Sequence, residues 1–194
     1  MLQLALTDAR VICVVAPTRR ALPTHAKLVN PVIDFNDLPL DASWWKADAV
    51  VCALGTTMAR AGSQEKFRQV DLELPLQVAK LTLMHGAQSY ALNSALGANA
   101  MSSVFYSRTK GELEQALRAL MFPSLTLIRP GLLDGDRQEN RPAERIAIWL
   151  SKAFGQLLPR RYRVVPARRV AHALLESALA AELGVKVVES EQLL

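Results

Sequence analysis

Cysteine, histidine and long apolar runs are the scarce features of this 194-residue chain. Two cysteines, Cys13 and Cys52, are too few for the bridged framework of a small secreted domain. His25, His85 and His172 are scattered and have no clustered cysteines beside them, so no metal centre is expected. Each cysteine sits in a β-branched run, VICVV or VVCAL, where the side chain reads as a small buried hydrophobe. The longest apolar stretches, such as 49–54, fall short of the ~20 residues a membrane-spanning helix needs. A secretory leader is also missing from the first ten residues, where Asp8 interrupts the leucines. The expectation is a cytoplasmic protein with no membrane partner. Glycine is absent from residues 1–54, which bears on the fold below.

What is present describes a globular chain. Apolar residues make up 51% and charged residues 21%, a balance that excludes disordered and low-complexity classes. The length fits one domain, 1–194, able to bury its own core. The net charge of +5 is concentrated late in the chain. Between residues 137 and 169 nine cations face only Glu139 and Glu144. Such a surface suits any anion, and three Tyr and five Phe with no nucleic-acid-binding motif make a nucleic-acid role unfavoured.

Stretches with strand character, at 10–15, 31–35, 48–54, 89–94, 124–129 and 185–188, alternate with helical patterns. That alternation predicts an α/β protein with a doubly wound, mostly parallel sheet. The run Val11-Ile12-Cys13-Val14-Val15 reads as a mid-sheet strand covered on both faces. Asp71 is expected to cap a helix that has a proline in its first turn and stops at Gly86. In the helix predicted over 107–121, Leu113, Leu117 and Leu120 form the apolar stripe while Glu112, Glu114 and Arg118 point largely away. Further helices are predicted over 143–157 and 168–182, and a polar, arginine-rich loop at 134–142.

Tyr106 and Lys110 form Tyr-x-x-x-Lys at the head of a helix, one turn apart on one face. Ser94 lies upstream at the C-terminal end of a buried strand, followed by a turn at Gly97, where open α/β sheets place their ligands. An ammonium beside a phenol favours loss of the phenolic proton, and a serine hydroxyl can hold the oxygen that receives it.

Ser94-x-x-Gly97, Tyr106-Ser-Arg-Thr-Lys110, Ile128-Arg129-Pro130-Gly131 and Val51-Cys52-Ala53-Leu54-Gly55-Thr56-Thr57 together resemble the atypical short-chain dehydrogenases/reductases. The phrases Ala61-Gly62, Gly135-Asp136-Arg137-Gln138-Glu139 and Arg141-Pro142 narrow the resemblance to the Tat-interacting-protein-like branch, over about residues 10–175. The resemblance implies a Rossmann-like domain and a nucleoside-diphosphate-sugar-epimerase-like relation. It also implies a nicotinamide dinucleotide, a small-molecule substrate, and Ser94, Tyr106 and Lys110 as the catalytic trio. On the cofactor it implies Tyr106, Lys110, Leu54, Gly55 and Thr56, with Arg129, Pro130 and Gly131 at the nicotinamide end and Asp34 and Phe35 near the adenine. Arg19 and Arg20 follow the strand where an acid would bind the ribose of NAD, so NADP is favoured and NAD remains an option. Arg137 and Arg141 are candidate contacts to an anionic group of the substrate.

Members of this family begin with a strand and a glycine-rich turn that hold the pyrophosphate. This sequence begins after that point, so it reads as truncated, with weakened cofactor affinity as the expected result. A catalytically weak dinucleotide-binding regulatory or interaction protein is the alternative reading. A homo-oligomer is left open.

Overall fold

The structure, a computed structural model, describes residues 1–134 and 159–194. The chain opens with α1 (Leu2–Thr7), then β1 (Val14–Val15) and β2 (Leu28–Val29), which pair in parallel. β3 (Ala49–Cys52) is followed by α2 (Met58–Ala61), α3 (Gln64–Arg68), a π-helical turn (Gln69–Glu73) and α4 (Leu74–Met84). Next come β4 (Ser89–Asn93), α5 (Phe105–Ala119) and β5 (Ser124–Arg129). The short strands β6 (Leu133–Asp134) and β7 (Val165–Pro166) pair with each other, and α6 (Ala167–Ala180) leads to β8 (Gly184–Glu189).

The main sheet has the order β3-β4-β5-β8, with every pair parallel. Alternate side chains of its inner strands serve opposite faces. Tyr90, Leu92, Leu125 and Leu127 pack against Leu113 and Leu117 of α5. Ala91 and Ile128 turn to the other side, against Val170 and Leu174 of α6. These leucines and Ile128 are 2% exposed or less, and burying each contributes about 2 kcal/mol before entropy is counted. Helices on both faces of a parallel sheet give the doubly wound α/β class expected from the sequence. Gly86 adopts the left-handed conformation just after α4, as a helix-stopping glycine should.

Local expectations fail in four places. The run at 10–15 is strand only at Val14–Val15, Ile12 is 89% exposed, and Cys13 is exposed rather than buried. A run of apolar residues signals two covered faces only where neighbours exist on both sides, and among the described residues β1 pairs with β2 alone. The strand placed at 31–35 is instead Leu28–Val29, with a single bridge between Thr18 and Val32. Asp34 turns the chain there by accepting the Asn36 N–H. Asp71 caps nothing, because the helical path runs on through it. Glu114, expected to point away from the core, is 3% exposed. The predicted helix 143–157, Arg137 and Arg141 lie outside the described residues.

Candidate active site

The parallel strands bring their C-terminal ends to one edge of the sheet. From that edge leave Leu54, Gly55 and Thr56 after β3, Ser94 after β4, and Pro130 and Gly131 after β5. Backbone bonds from Ser94 N–H to Ile128 O (2.7 Å) and from Leu96 N–H to Pro130 O (2.9 Å) zip the last two exits together. At the same edge the Asn93 Oδ1 is buried without a hydrogen-bond partner.

Tyr106 and Lys110 occupy successive turns at the start of α5. Phe67, wholly buried, stacks its ring 5.6 Å from Phe105 and 5.8 Å from Tyr106, while Tyr106 itself stays 41% exposed. The loop before α5 is pinned to the helix by the Asn99 N–H on Ser107 O and by Arg108 Nη1 on Ser102 O. Gly111 makes this possible, since a Cβ there would lie 2.1 Å from the Ala100 nitrogen. The contact sets the depth of α5 and therefore of Lys110.

Lys110 is 4% exposed, and its Nζ lies 2.6 Å from Asp71 Oδ1 in an ion pair whose partners are both buried. Asp71 Oδ2 accepts the N–H of Thr56 at 2.7 Å. Gly55 runs directly over the pair, for a Cβ there would stand 3.2 Å from Asp71 Oδ1 and 3.7 Å from Lys110 Nζ. Pro75 explains how Asp71 reaches inward. A proline has no N–H to give to the carbonyl four residues earlier, and its ring crowds that carbonyl, which here belongs to Asp71. The helix widens, Leu74 N–H bonds to Gln69 O five residues back, and the resulting π-turn turns Asp71 into the core.

Ser94 sits in a second network. Its hydroxyl donates to Glu114 Oε1 at 2.6 Å, and Arg129 grips the same carboxylate while also reaching Glu189 Oε1 at 3.0 Å. The Arg129 guanidinium is held charged by Glu114, with Glu189 adding to the effect. Burial pushes the Tyr90 phenol well above the usual tyrosine range and raises the Cys52 thiol, so both stay protonated near neutrality. Arg19 and Arg20 are exposed in the turn after β1, where Thr18 Oγ1 donates to Arg20 O. Asp34 and Phe35 follow the β1–β2 pair, outside any strand.

The structure therefore joins Gly55, Thr56 and Lys110 through Asp71, and Ser94 and Arg129 through Glu114. Neither carboxylate was a candidate from the sequence. Two signals point to them: Pro75 four residues after Asp71, and the place of Glu114 one turn after Lys110 on the buried side of α5. Among the described residues, no group of three or more His, Cys, Asp or Glu could hold a metal ion, and no helix is long and apolar enough to cross a membrane.

This architecture is shared with solved structures of the Rossmann-like short-chain dehydrogenase/reductase and epimerase type. MoeE5 in complex with UDP-glucose and NAD matches with a TM-score of 0.67 and 16% identity, over 90% of this chain and 66% of that one. A short chain dehydrogenase family protein from Francisella tularensis gives 0.65 and 12%, over 98% and 91%. No protein-family model matches the chain. Protein HTATIP2 of Rattus norvegicus is 34% identical over 168 residues, which are 84% of this chain and 67% of the rat protein. The chain belongs to the family of HTATIP2, within the atypical short-chain dehydrogenases/reductases.

Two fungal relatives match over shorter regions. Protein fmp52 of Emericella nidulans is 42% identical over 107 residues, 55% of this chain and 46% of that protein. FMP52 of Lodderomyces elongisporus is 44% identical over 93 residues, 48% and 39%. The chain thus spans less than half the length of these two curated relatives. Both are mitochondrial by name, as are those of Aspergillus fumigatus and Candida albicans, and this overturns the cytoplasmic expectation. The interruption of the leucines at Asp8, on which that expectation rests, does not separate cytosol from mitochondrion.

Proposed function

We propose that the site is that of an oxidoreductase of short-chain type, using a nicotinamide dinucleotide on a small alcohol or carbonyl compound. The observation that carries this reading is Lys110: a nearly inaccessible ammonium, one helical turn from an exposed-edge tyrosine, under a loop where a glycine leaves room. An ammonium has three N–H donors, and among the described residues its one partner is Asp71. Leaving buried donors unsatisfied is costly, so the remaining two suit hydroxyl groups of a bound ligand. The residues thus fit the ribose and nicotinamide side of such a cofactor. A glycine-rich cradle for the pyrophosphate is not found among residues 1–54, which contain no glycine.

When bound, the nicotinamide supplies or accepts the hydride. Tyr106 exchanges the accompanying proton with the substrate oxygen, and Lys110 stabilises the phenolate by its charge. Pro130 and Gly131 would hold its reacting end, and Leu54, Gly55 and Thr56 of the β3–α2 loop would hold the cofactor beside Lys110. Arg19 and Arg20 favour NADP by offering cations to a 2′-phosphate, and MoeE5 and Bordetella bronchiseptica WbmG, both solved with NAD, keep NAD in view. Asp34 and Phe35 are assigned to the adenine side, and Arg137 and Arg141 to the substrate. Calorimetric titration with NADPH and NADH tests the reading. Binding of NADPH that weakens in Arg19→Ala/Arg20→Ala, and turnover lost in Tyr106→Phe with binding retained, is the expected result; no binding of either nucleotide would overturn it.

The second reading, a dinucleotide-binding regulatory or interaction protein with little turnover, draws on Ser94. Its one proton is committed to Glu114, so the hydroxyl can accept a hydrogen bond from a ligand and cannot donate one to a carbonyl oxygen. Tight NADPH binding with no reduction across a broad carbonyl panel would favour it.

A further inference from the structure

We infer that Asp71 is a positioning residue of this site, one carboxylate that seats both Lys110 and the β3–α2 loop. The inference rests on the proposed function for what Lys110 does, and on geometry for what Asp71 does. Its two oxygens have separate duties: Oδ1 holds the Lys110 ammonium at 2.6 Å and Oδ2 holds the Thr56 N–H at 2.7 Å. Both charged groups are nearly inaccessible, Asp71 at 1% and Lys110 at 4%. A buried ion pair is poor value for stability alone, because each charge loses its hydration, and a hydrophobic pair of the same shape would serve a purely structural purpose as well. Here the pair lies at the strand-end edge, beneath Gly55, and is delivered by a local distortion of the helix that Pro75 enforces.

The consequence is twofold. Asp71 leaves two ammonium N–H groups of Lys110 unspent and fixes the direction of the third, so the lysine meets a ligand already oriented. It also offsets part of the lysine charge, so the two unspent N–H groups meet a ligand chiefly as hydrogen-bond donors to hydroxyl or carbonyl oxygens. Because the same carboxylate holds Thr56, a displaced loop and a displaced lysine are one event and not two.

The experiment compares the full chain with Asp71→Asn, Asp71→Glu, Lys110→Met and the double variant Asp71→Asn/Lys110→Met, using NADPH and NADH in calorimetry. Asp71→Asn should weaken nucleotide binding by about tenfold or more, with part of the loss restored in Asp71→Glu. The double variant should bind no more weakly than Lys110→Met alone, since one effect acts through the other. Equal affinity in Asp71→Asn, or additive losses in the double variant, would overturn the inference. A second readout needs no nucleotide: acetylation of Lys110 by acetic anhydride, followed by peptide mass, with the Cys52 thiol as internal reference. Faster acetylation of Lys110 in Asp71→Asn while Cys52 stays protected supports positioning. Unchanged acetylation, or equal exposure of Cys52, overturns it. If the unaltered chain binds neither nucleotide, the proposed function falls, and the acetylation comparison alone decides the role of Asp71.

Discussion

Arg129 at the end of β5 holds Glu114 of α5 with two donors, Nε to Oε1 at 3.0 Å and Nη2 to Oε2 at 2.6 Å. The fork ties a central strand to the helix that carries Tyr106 and Lys110, and Ser94 closes it from β4. Removing Glu114 would leave the partly buried Arg129 with Glu189 as its remaining carboxylate and the buried Ser94 hydroxyl without its acceptor, so Glu114→Ala should cost about 1–3 kcal/mol in urea unfolding. The double variant Glu114→Leu/Arg129→Met should cost less than Glu114→Ala, because no half-paired charge is left behind. A double variant as unstable as the single one would show that the hydrogen-bond network, and not the half-paired charge, sets the cost.

Gly111 should not tolerate a side chain. A Cβ would sit 2.1 Å from Ala100 N and 2.2 Å from Asn99 C, backbone atoms that cannot swing aside. Gly111→Ala should lower stability by about 3 kcal/mol or more, with loss of any nucleotide binding as α5 is pushed off its loop. Gly62 is the contrast: its positive φ of 74° strains an alanine, but no atom stands within 4 Å of the added carbon. Gly62→Ala should therefore cost only about 1–2 kcal/mol, and thermal unfolding of the two variants separates backbone strain from collision.

How legible these features are depends on how local their causes are. The strand at 124–129, the Leu113 and Leu117 stripe and the stop at Gly86 rest on spacing within a few residues, and each is found where the pattern places it. Tyr106 and Lys110 share a helix face for the same reason. Asp71 and Glu114 escape, because a carboxylate beside apolar residues reads equally well as a cap or as a solvated group. Only Lys110 and Arg129, brought close by the fold, turn them into buried partners. The misjudged run at 10–15 is the converse case. Its composition describes a covered strand, but coverage is supplied by neighbours, which no residue within the run encodes.

The two thiols should differ sharply in reactivity. Cys13 is exposed, whereas Cys52 is buried and its thiol is pushed above the usual range by that burial. A chromogenic disulfide reagent near neutral pH should label one thiol quickly and the second only at the rate of unfolding. Cys13→Ser should abolish the fast phase. A fast phase that survived this substitution would mean that the end of β3 opens readily, in conflict with its place in the main sheet.

Acid should loosen the attachment of the first residues to α6 before it unfolds the sheet. Arg10 bonds to Asp8, at 2.7 Å in their ion pair, and to Glu176 on α6. Asp8 is lowered from 3.8 to about 2, mainly by its hydrogen bonds with Arg10, and Glu176 is lowered for the same first cause. A carboxylate whose folded value is depressed contributes its full stabilisation above the unfolded value and loses it as pH falls toward the folded one. For Asp8 that window runs from about pH 4 to about pH 2. The groups are open to water, so added salt should shrink the effect. Proteolysis of the 8–13 segment, followed between pH 5 and 2 in an acid-active protease, should accelerate through this window in the unaltered chain. In Arg10→Ala it should already be fast at pH 5 and change little on acidification. A variant that kept the same pH dependence would show that other carboxylates govern the acid response.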